Sequence, residues 1–154
     1  MVRGMEIREV MTRSVVTAPA DSPVREVAEL MRERSVGSVV LVGADGETVE
    51  ALVTDRDLTV SVLAEGRDPG ETVRDHASAP VIAVAPADDV SRAAQLMTEH
   101  GIRRLPVVQD DVLLGIVTLD DLAARTGDSE LAHQLTAQVA RTALPDFYFH
   151  DRGG

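Results

Sequence analysis

An internal duplication narrows the possible folds of this chain more than any other feature. Ala18-Pro19-Ala20-Asp21 returns as Ala85-Pro86-Ala87-Asp88, Leu30-Met31 as Leu96-Met97, and Thr54-Asp55-Arg56-Asp57-Leu58 as Thr118-Leu119-Asp120-Asp121-Leu122. The offsets are 67, 66 and 64 residues, so the copies differ only by short loops. A period this long, present only twice, points to tandem copies of one compact unit rather than a solenoid. Two copies in one chain predict a pseudo-twofold molecule with two related clefts.

Each copy carries the same order of signals. A β-rich stretch (Val15 to Thr17, then Val81 to Val84) leads into Pro and Asp turn residues and a helix. In the first copy Ser22 is the expected N-cap, with Pro23 at the first helical position. Val24, Val27, Ala28 and Met31 form one apolar stripe, repeated by Val90, Ala93, Ala94 and Met97. Gly101 is expected to end the second of these helices. Two strands follow in each copy. Val39 to Val42 and Val49 to Val53 turn at Gly43-Ala44-Asp45-Gly46, while Leu105 to Val108 and Leu113 to Val117 turn at Asp110-Asp111. A last helix opens at Thr54 or Thr118. The order is β-α-β-β-α, twice, with residues 64–71 as a linker. So few strands per unit cannot stand alone, so the two units are expected to pack on each other. Residues 129–142 read as one more helix. Beyond Pro145 the three aromatic residues of the chain stand together as Phe147-Tyr148-Phe149.

Composition removes several classes of function. With 154 residues and no cysteine, the chain is long enough for a core without staples and has neither disulfides nor thiolate metal sites. A net charge of −11 argues against nucleic acid as a partner. The 15 basic residues are all arginine, which excludes Schiff-base lysines and a P-loop lysine. Anions must therefore be held by guanidinium groups and backbone amides. No apolar run approaches the ~18 residues of a membrane span, and no signal peptide precedes the first repeat. The expectation is a soluble, cytoplasmic protein with no membrane partner. His76, His100, His133 and His150 are scattered without zinc-ligand spacing, and no serine sits in a nucleophile elbow. An enzyme is not expected, and His76 is expected to be a structural or surface residue.

The duplicated unit, with Gly101-Ile102-Arg103-Arg104-Leu105-Pro106-Val107-Val108 and Gly115-Ile116-Val117-Thr118-Leu119-Asp120-Asp121-Leu122, resembles CBS domains. Two in tandem form a Bateman module, here similar to the stand-alone bacterial type. The resemblance implies an α+β fold with repeats over 7–64 and 73–126 and a C-terminal helix and tail over 128–154. It also implies a homodimeric disc. Such modules bind an adenine nucleotide (AMP, ADP, ATP) or S-adenosylmethionine between the repeats and regulate a partner. No effector domain is expected on this chain, so the output passes in trans. No cofactor is required beyond the regulatory nucleotide. Mg²⁺ could accompany that nucleotide at Asp110-Asp111 or Asp120-Asp121, although solvated acidic loops explain those pairs better.

The residues themselves supply the chemistry of such a site. Thr54 and Asp57, and again Thr118 and Asp121, mark strand-to-helix junctions. A helix start offers N–H groups and a positive dipole end to a phosphate. A threonine hydroxyl can donate to a phosphate, and an aspartate can accept from a diol such as ribose. By the resemblance, the threonines face phosphate, the aspartates face ribose, and the backbone around Thr17 and Val84 holds the adenine edge. The competing account is a capping box, in which the same residues only stabilise a helix start; aspartate's short reach is expected to close that box poorly. Arg103 and Arg104 suit phosphate oxygens, with an ion pair from Arg103 to Asp120 or Asp121 as the alternative. Gly37 and Ser38 hold the matching positions in the first repeat, so the two clefts are expected to differ, with Arg56 a compensating cation. A second reading is a dimer that binds no ligand and acts through Phe147-Tyr148-Phe149.

Overall fold

The computed structural model describes residues 4–127, together with His133 and Ala137. The C-terminal helix expected over 129–142 and the aromatic triplet at 147–149 otherwise lie outside the described residues.

The chain forms two compact units that do not coincide with the sequence repeats. One combines Ser14–Val81 with Val108–Leu113; of the described residues, the other combines 4–13 with Ile82–Val107 and 114–127.

In the first unit, β1 (Thr17–Pro19), β2 (Ser38–Val42) and β3 (Val49–Thr54) form one sheet in the order β1-β2-β3. β1 runs parallel to β2, and β2 antiparallel to β3. Every residue of β2 is buried, as expected of a central strand rich in valine. The helix α2 (Val24–Arg34) lays Val24, Val27 and Met31 into the core. Ala28, the fourth member of the expected stripe, is exposed. After β3 comes a short helix, α3 (Asp55–Leu58), continued by a π-helical turn over Thr59–Leu63.

The first strand sits two residues beyond the stretch expected from its β-rich composition. Its position is set by pairing: Thr17, Ala18 and Pro19 lie opposite Val40, Leu41 and Val42. Ser22 is not the N-cap either. Pro23 holds that place without a side-chain cap, and the helix N–H groups find the linker instead. Val24 N–H donates to the Glu71 carbonyl at 2.9 Å and Arg25 N–H to that of Pro69 at 3.0 Å. A 3₁₀ turn over Val73–His76 closes this side, with Val73 fully buried in the same core. His76 is anchored there, its side chain only 5% exposed. Its Nδ1 lies 2.6 Å from Ser61 Oγ and its Nε2 3.3 Å from Glu71, which Arg67 in turn grips through Nε and Nη2. That grip holds the Glu71 carboxyl below the usual carboxylate range.

The second unit repeats this plan with segments from elsewhere in the chain. α4 (Val90–His100), the hairpin β4 (Arg104–Gln109) and β5 (Val112–Thr118), whose turn at Val108–Leu113 is counted with the first unit, and α5 (Leu119–Thr126) correspond to α2, β2, β3 and α3. Gly101 ends α4 in the left-handed region at φ 62°, as its position in the sequence requires. The first strand is the exception. Val81 to Val84 forms only a single bridge, Val84 to Val107, with Val84 N–H donating to the Pro106 carbonyl at 3.0 Å. The matching residue in the first repeat is Val40, whose N–H donates to Val16. Pro106 has no N–H, so the corresponding ladder bond cannot form.

A short N-terminal helix, α1 (Ile7–Val10), completes this unit's core: Ile7, Val10 and Met11 pack with Met97, Leu105, Val107 and Leu122. Ile7 N–H donates to Asp88 and Val90 N–H to Met5, mirroring Val73 to Ser22 and Val24 to Glu71 in the first unit. Each repeat is thus completed by the segment that precedes the other. Thr12 and Ile116 exchange two backbone hydrogen bonds, each 2.8 Å. A Cβ on Gly115 would lie 2.7 Å from the Thr12 carbonyl oxygen, a backbone atom that cannot rotate away. Gly115→Ala is therefore expected to cost about 1–3 kcal/mol, or roughly 3–10 °C in Tm at this length. An unchanged Tm in thermal unfolding would show that the N-terminal segment does not lie against β5.

Candidate functional site

The two strand-to-helix junctions are built alike. Thr54 ends β3 and caps α3: its Oγ1 accepts from Asp57 N–H at 3.1 Å, and its own N–H donates to Asp57 Oδ2 at 2.8 Å. Thr118 and Asp121 make the same reciprocal pair at the start of α5, both bonds 3.0 Å. Aspartate thus closes the capping box in both repeats, contrary to the expectation from its reach. The box leaves chemistry unspent. Each threonine hydroxyl accepts in the box and keeps its proton to donate, and each aspartate commits only one oxygen.

The junctions differ in what surrounds them. At α3 the first three N–H groups are all taken: Asp55 donates to the Gly37 carbonyl at 2.9 Å, Arg56 to Asp55 Oδ1 at 2.8 Å, and Asp57 to Thr54. Ser38 is buried and paired opposite Thr54 across the β2–β3 ladder. Arg56 is exposed. Thr17, on the neighbouring strand, lines a cavity of about 230 Å³ that also holds Glu26, Glu29 and Glu33. Three carboxylates make that cavity a poor host for an anion.

At α5, Leu119 N–H donates to the Arg103 carbonyl at 2.9 Å, the counterpart of the Asp55 to Gly37 bond. This places Arg103 at the helix start as the sequence alignment of the repeats requires. Its side chain is exposed and forms no ion pair among the described residues, so the expected alternative of a bridge to Asp120 or Asp121 is not realised. Arg104 opens β4, half-buried and engaged with its surroundings. The Asp120 N–H is not used by any loop or cap of the described residues. Val84 is buried with its N–H committed to Pro106, which leaves only its carbonyl for a ligand edge. The structure therefore gathers Arg103, Thr118 and Asp121 at one helix start, and Gly37, Ser38, Thr54 and Asp57 at the other.

One neighbour escaped the sequence reading. Thr12, 109 residues away, brings its hydroxyl to 3.5 Å from Asp121 Oδ1, the oxygen the box does not use. No local spacing could reveal this, because the N-terminal segment reaches α5 only through the exchange of segments between repeats. Among the described residues no group of three or more His, Cys, Asp or Glu converges as a metal site, and no helix is long and apolar enough to cross a membrane.

The CBS domain family matches residues 7–63 and 73–126. An uncharacterized protein of Methanopyrus kandleri is 41% identical over 123 residues, 79% of this chain and 62% of that protein. The chain thus spans less than two thirds of that relative's length. The CBS domain-containing protein YhcV of Bacillus subtilis is 34% identical over 134 residues, covering 87% of this chain and 94% of that one. Among solved structures, a CBS domain protein from Pyrobaculum aerophilum complexed with AMP superposes with a TM-score of 0.73 at 27% identity, over 86% of this chain and 99% of that one. The doubled strand-to-helix junction and the family match over both repeats make this chain a member of the CBS domain family, with two CBS domains in tandem.

Proposed function

We propose that the chain is a regulatory, non-catalytic module that binds an adenosine-containing ligand and passes the signal to a partner protein in trans, working as a homodimer. The observation that carries the ligand reading is Arg103. Its backbone carbonyl anchors the first N–H of α5, while its guanidinium is exposed and without an ion-pair partner among the described residues. A cation held at a helix start and left unneutralised suits a phosphate, and its forked donors match phosphate oxygens two at a time. Thr118 supplies a hydroxyl proton beside it, and Asp121 an acceptor for ribose hydroxyls. Arg104 and Val84 complete the set, with the adenine edge held by backbone near Val84. The AMP bound to the Pyrobaculum aerophilum protein supports adenosine as the ligand class.

The first repeat is the weaker half. Gly37 and Ser38 replace the two arginines, and the N–H groups at the start of α3 are already satisfied. Arg56 is the nearest cation in sequence. One strong site per chain, centred on the second repeat, is the reading this asymmetry supports. A ligand shifts the module's conformational equilibrium by its difference in affinity for the two states. Thermal unfolding with AMP, ADP, ATP and S-adenosylmethionine tests the ligand reading: at least one should raise Tm in a saturable way. No shift with any of the four would favour a module that acts only through protein contacts.

A further inference from the structure

Thr12 and Ser78 hold matching places in the two units. Each bridges the second hairpin strand two residues before a threonine cap: Thr12 pairs with Ile116, before Thr118, and Ser78 with Leu52, before Thr54. The bridges differ in closeness. Thr12 and Ile116 exchange backbone bonds of 2.8 Å each, whereas Leu52 N–H donates to Ser78 at 3.2 Å and Ser78 N–H to Leu52 at 3.0 Å. A Cβ at Gly115 would meet the Thr12 carbonyl oxygen at 2.7 Å, so glycine is what admits the closer bridge; the first repeat has Ala51 at that place. The side chains follow the backbone. Thr12, half-buried, brings its hydroxyl to 3.5 Å from Asp121 Oδ1, while Ser78 is exposed and makes no such bond to Asp57. Asp121 is therefore met at both oxygens, Oδ2 by the Thr118 N–H at 3.0 Å and Oδ1 by Thr12. Among the described residues Asp57 is met only at Oδ2, by the Thr54 N–H at 2.8 Å.

We propose that Thr12 is a positioning residue for Asp121, fixing its carboxylate so that the second repeat selects ligands with an intact ribose cis-diol; this rests on the role proposed above for Asp121 as the ribose acceptor. An ionised carboxylate has about four lone-pair sites. With Thr118 and Thr12 each using one, a site remains on each oxygen, the pattern into which two adjacent hydroxyls donate. The terminal torsion of an aspartate is otherwise broad, so a carboxylate held at one oxygen must be ordered by the ligand itself, at the expense of affinity. Thr12 supplies that order before the ligand arrives. Its own backbone is paired on β5, so the hydroxyl is aimed by a strand. Asp57 lacks this second hold, which confines diol selection to the second repeat.

Titration calorimetry of the full chain with AMP and with 2′,3′-dideoxy-AMP separates this role from a structural one. The wild-type protein should bind AMP more tightly than the dideoxy analogue. Thr12→Val keeps the branched shape and both bridge bonds but lacks the hydroxyl. It should weaken AMP by about two- to tenfold and leave the affinity for the dideoxy analogue unchanged. Thr12→Ser, which restores the hydroxyl, should recover most of the AMP affinity. A Thr12→Val protein that weakens both nucleotides equally, or neither, would overturn the positioning role and leave Asp121 as the ribose acceptor. Tighter AMP binding by Thr12→Val would overturn it in the opposite sense, with Thr12 competing for the oxygen that ribose needs. A wild-type protein that binds the two nucleotides alike, or binds neither, would remove the role of Asp121 itself and the inference with it.

Discussion

Replacing Ile7 by alanine should destabilise the protein by about 2–5 kcal/mol, lowering Tm by roughly 5–15 °C at this length. Ile7 lies in the first turn of the chain, yet it is fully buried among Met97, Leu105, Val107 and Leu122 of the second repeat. Removing its side chain beyond Cβ loses the transfer energy of those atoms and leaves a cavity that the hairpin β4–β5 and the helix α5 cannot fill without moving. Arg8→Ala next to it is the control: its ion pair with Glu6 is exposed and contributes about 0–1 kcal/mol. Hydrogen exchange locates the effect. Amides of β4 and β5 should lose protection in Ile7→Ala while those of β2 keep theirs. Loss confined to β2 and β3 would mean that the N-terminal segment serves the first repeat after all.

The second large effect concerns the ligand. AMP at 100 times its Kd should stabilise the fold by about 2.7 kcal/mol, or roughly 5–10 °C. Arg103→Ala should leave the unliganded Tm within a degree or two, because the residue's structural role is carried by its carbonyl, which alanine retains. The same variant should weaken binding by about 2–5 kcal/mol, the cost of removing one partner of a desolvated charge pair. At the same AMP concentration the shift then falls to about a third of the wild-type value or less. Thr118→Ala separates the two roles of its residue: it should lower the unliganded Tm through the lost cap, about 1 kcal/mol, and weaken AMP as well. An Arg103→Ala protein with the full wild-type shift would show that the phosphate lies elsewhere, even though binding is real.

Much of this architecture is legible in the chain because it depends on neighbours in sequence. The stripe on α4, the glycine that ends it, the two hairpins and both threonine caps follow from residues within four positions of one another. Both capping boxes close although aspartate replaces the more usual glutamate, since the first turn brings Asp57 and Asp121 within 3.0 Å of the threonine N–H. The hairpin at Asp110-Asp111 turns with positive φ at both residues, 52° and 65°, a conformation aspartate tolerates better than most side chains.

Where local reading failed, a distant partner had intervened. Ser22 loses the capping role because the backbone of residues 69 and 71 already satisfies the first N–H groups of α2. The strand at 81–84 shrinks to one bridge because its partner position is Pro106. Asp121 gains Thr12 as a neighbour. The repeats, the two threonine-capped helix starts and the placement of Arg103 against Gly37 were therefore set by the sequence alone, through local hydrogen bonding and apolar periodicity. Which segment completes which core was decided only by tertiary packing: a buried surface is indifferent to chain distance, so α1 and the turn at 73–76 could each close the repeat that follows or precedes them, and the apolar holes left beside Met97 and Val27 selected the exchange.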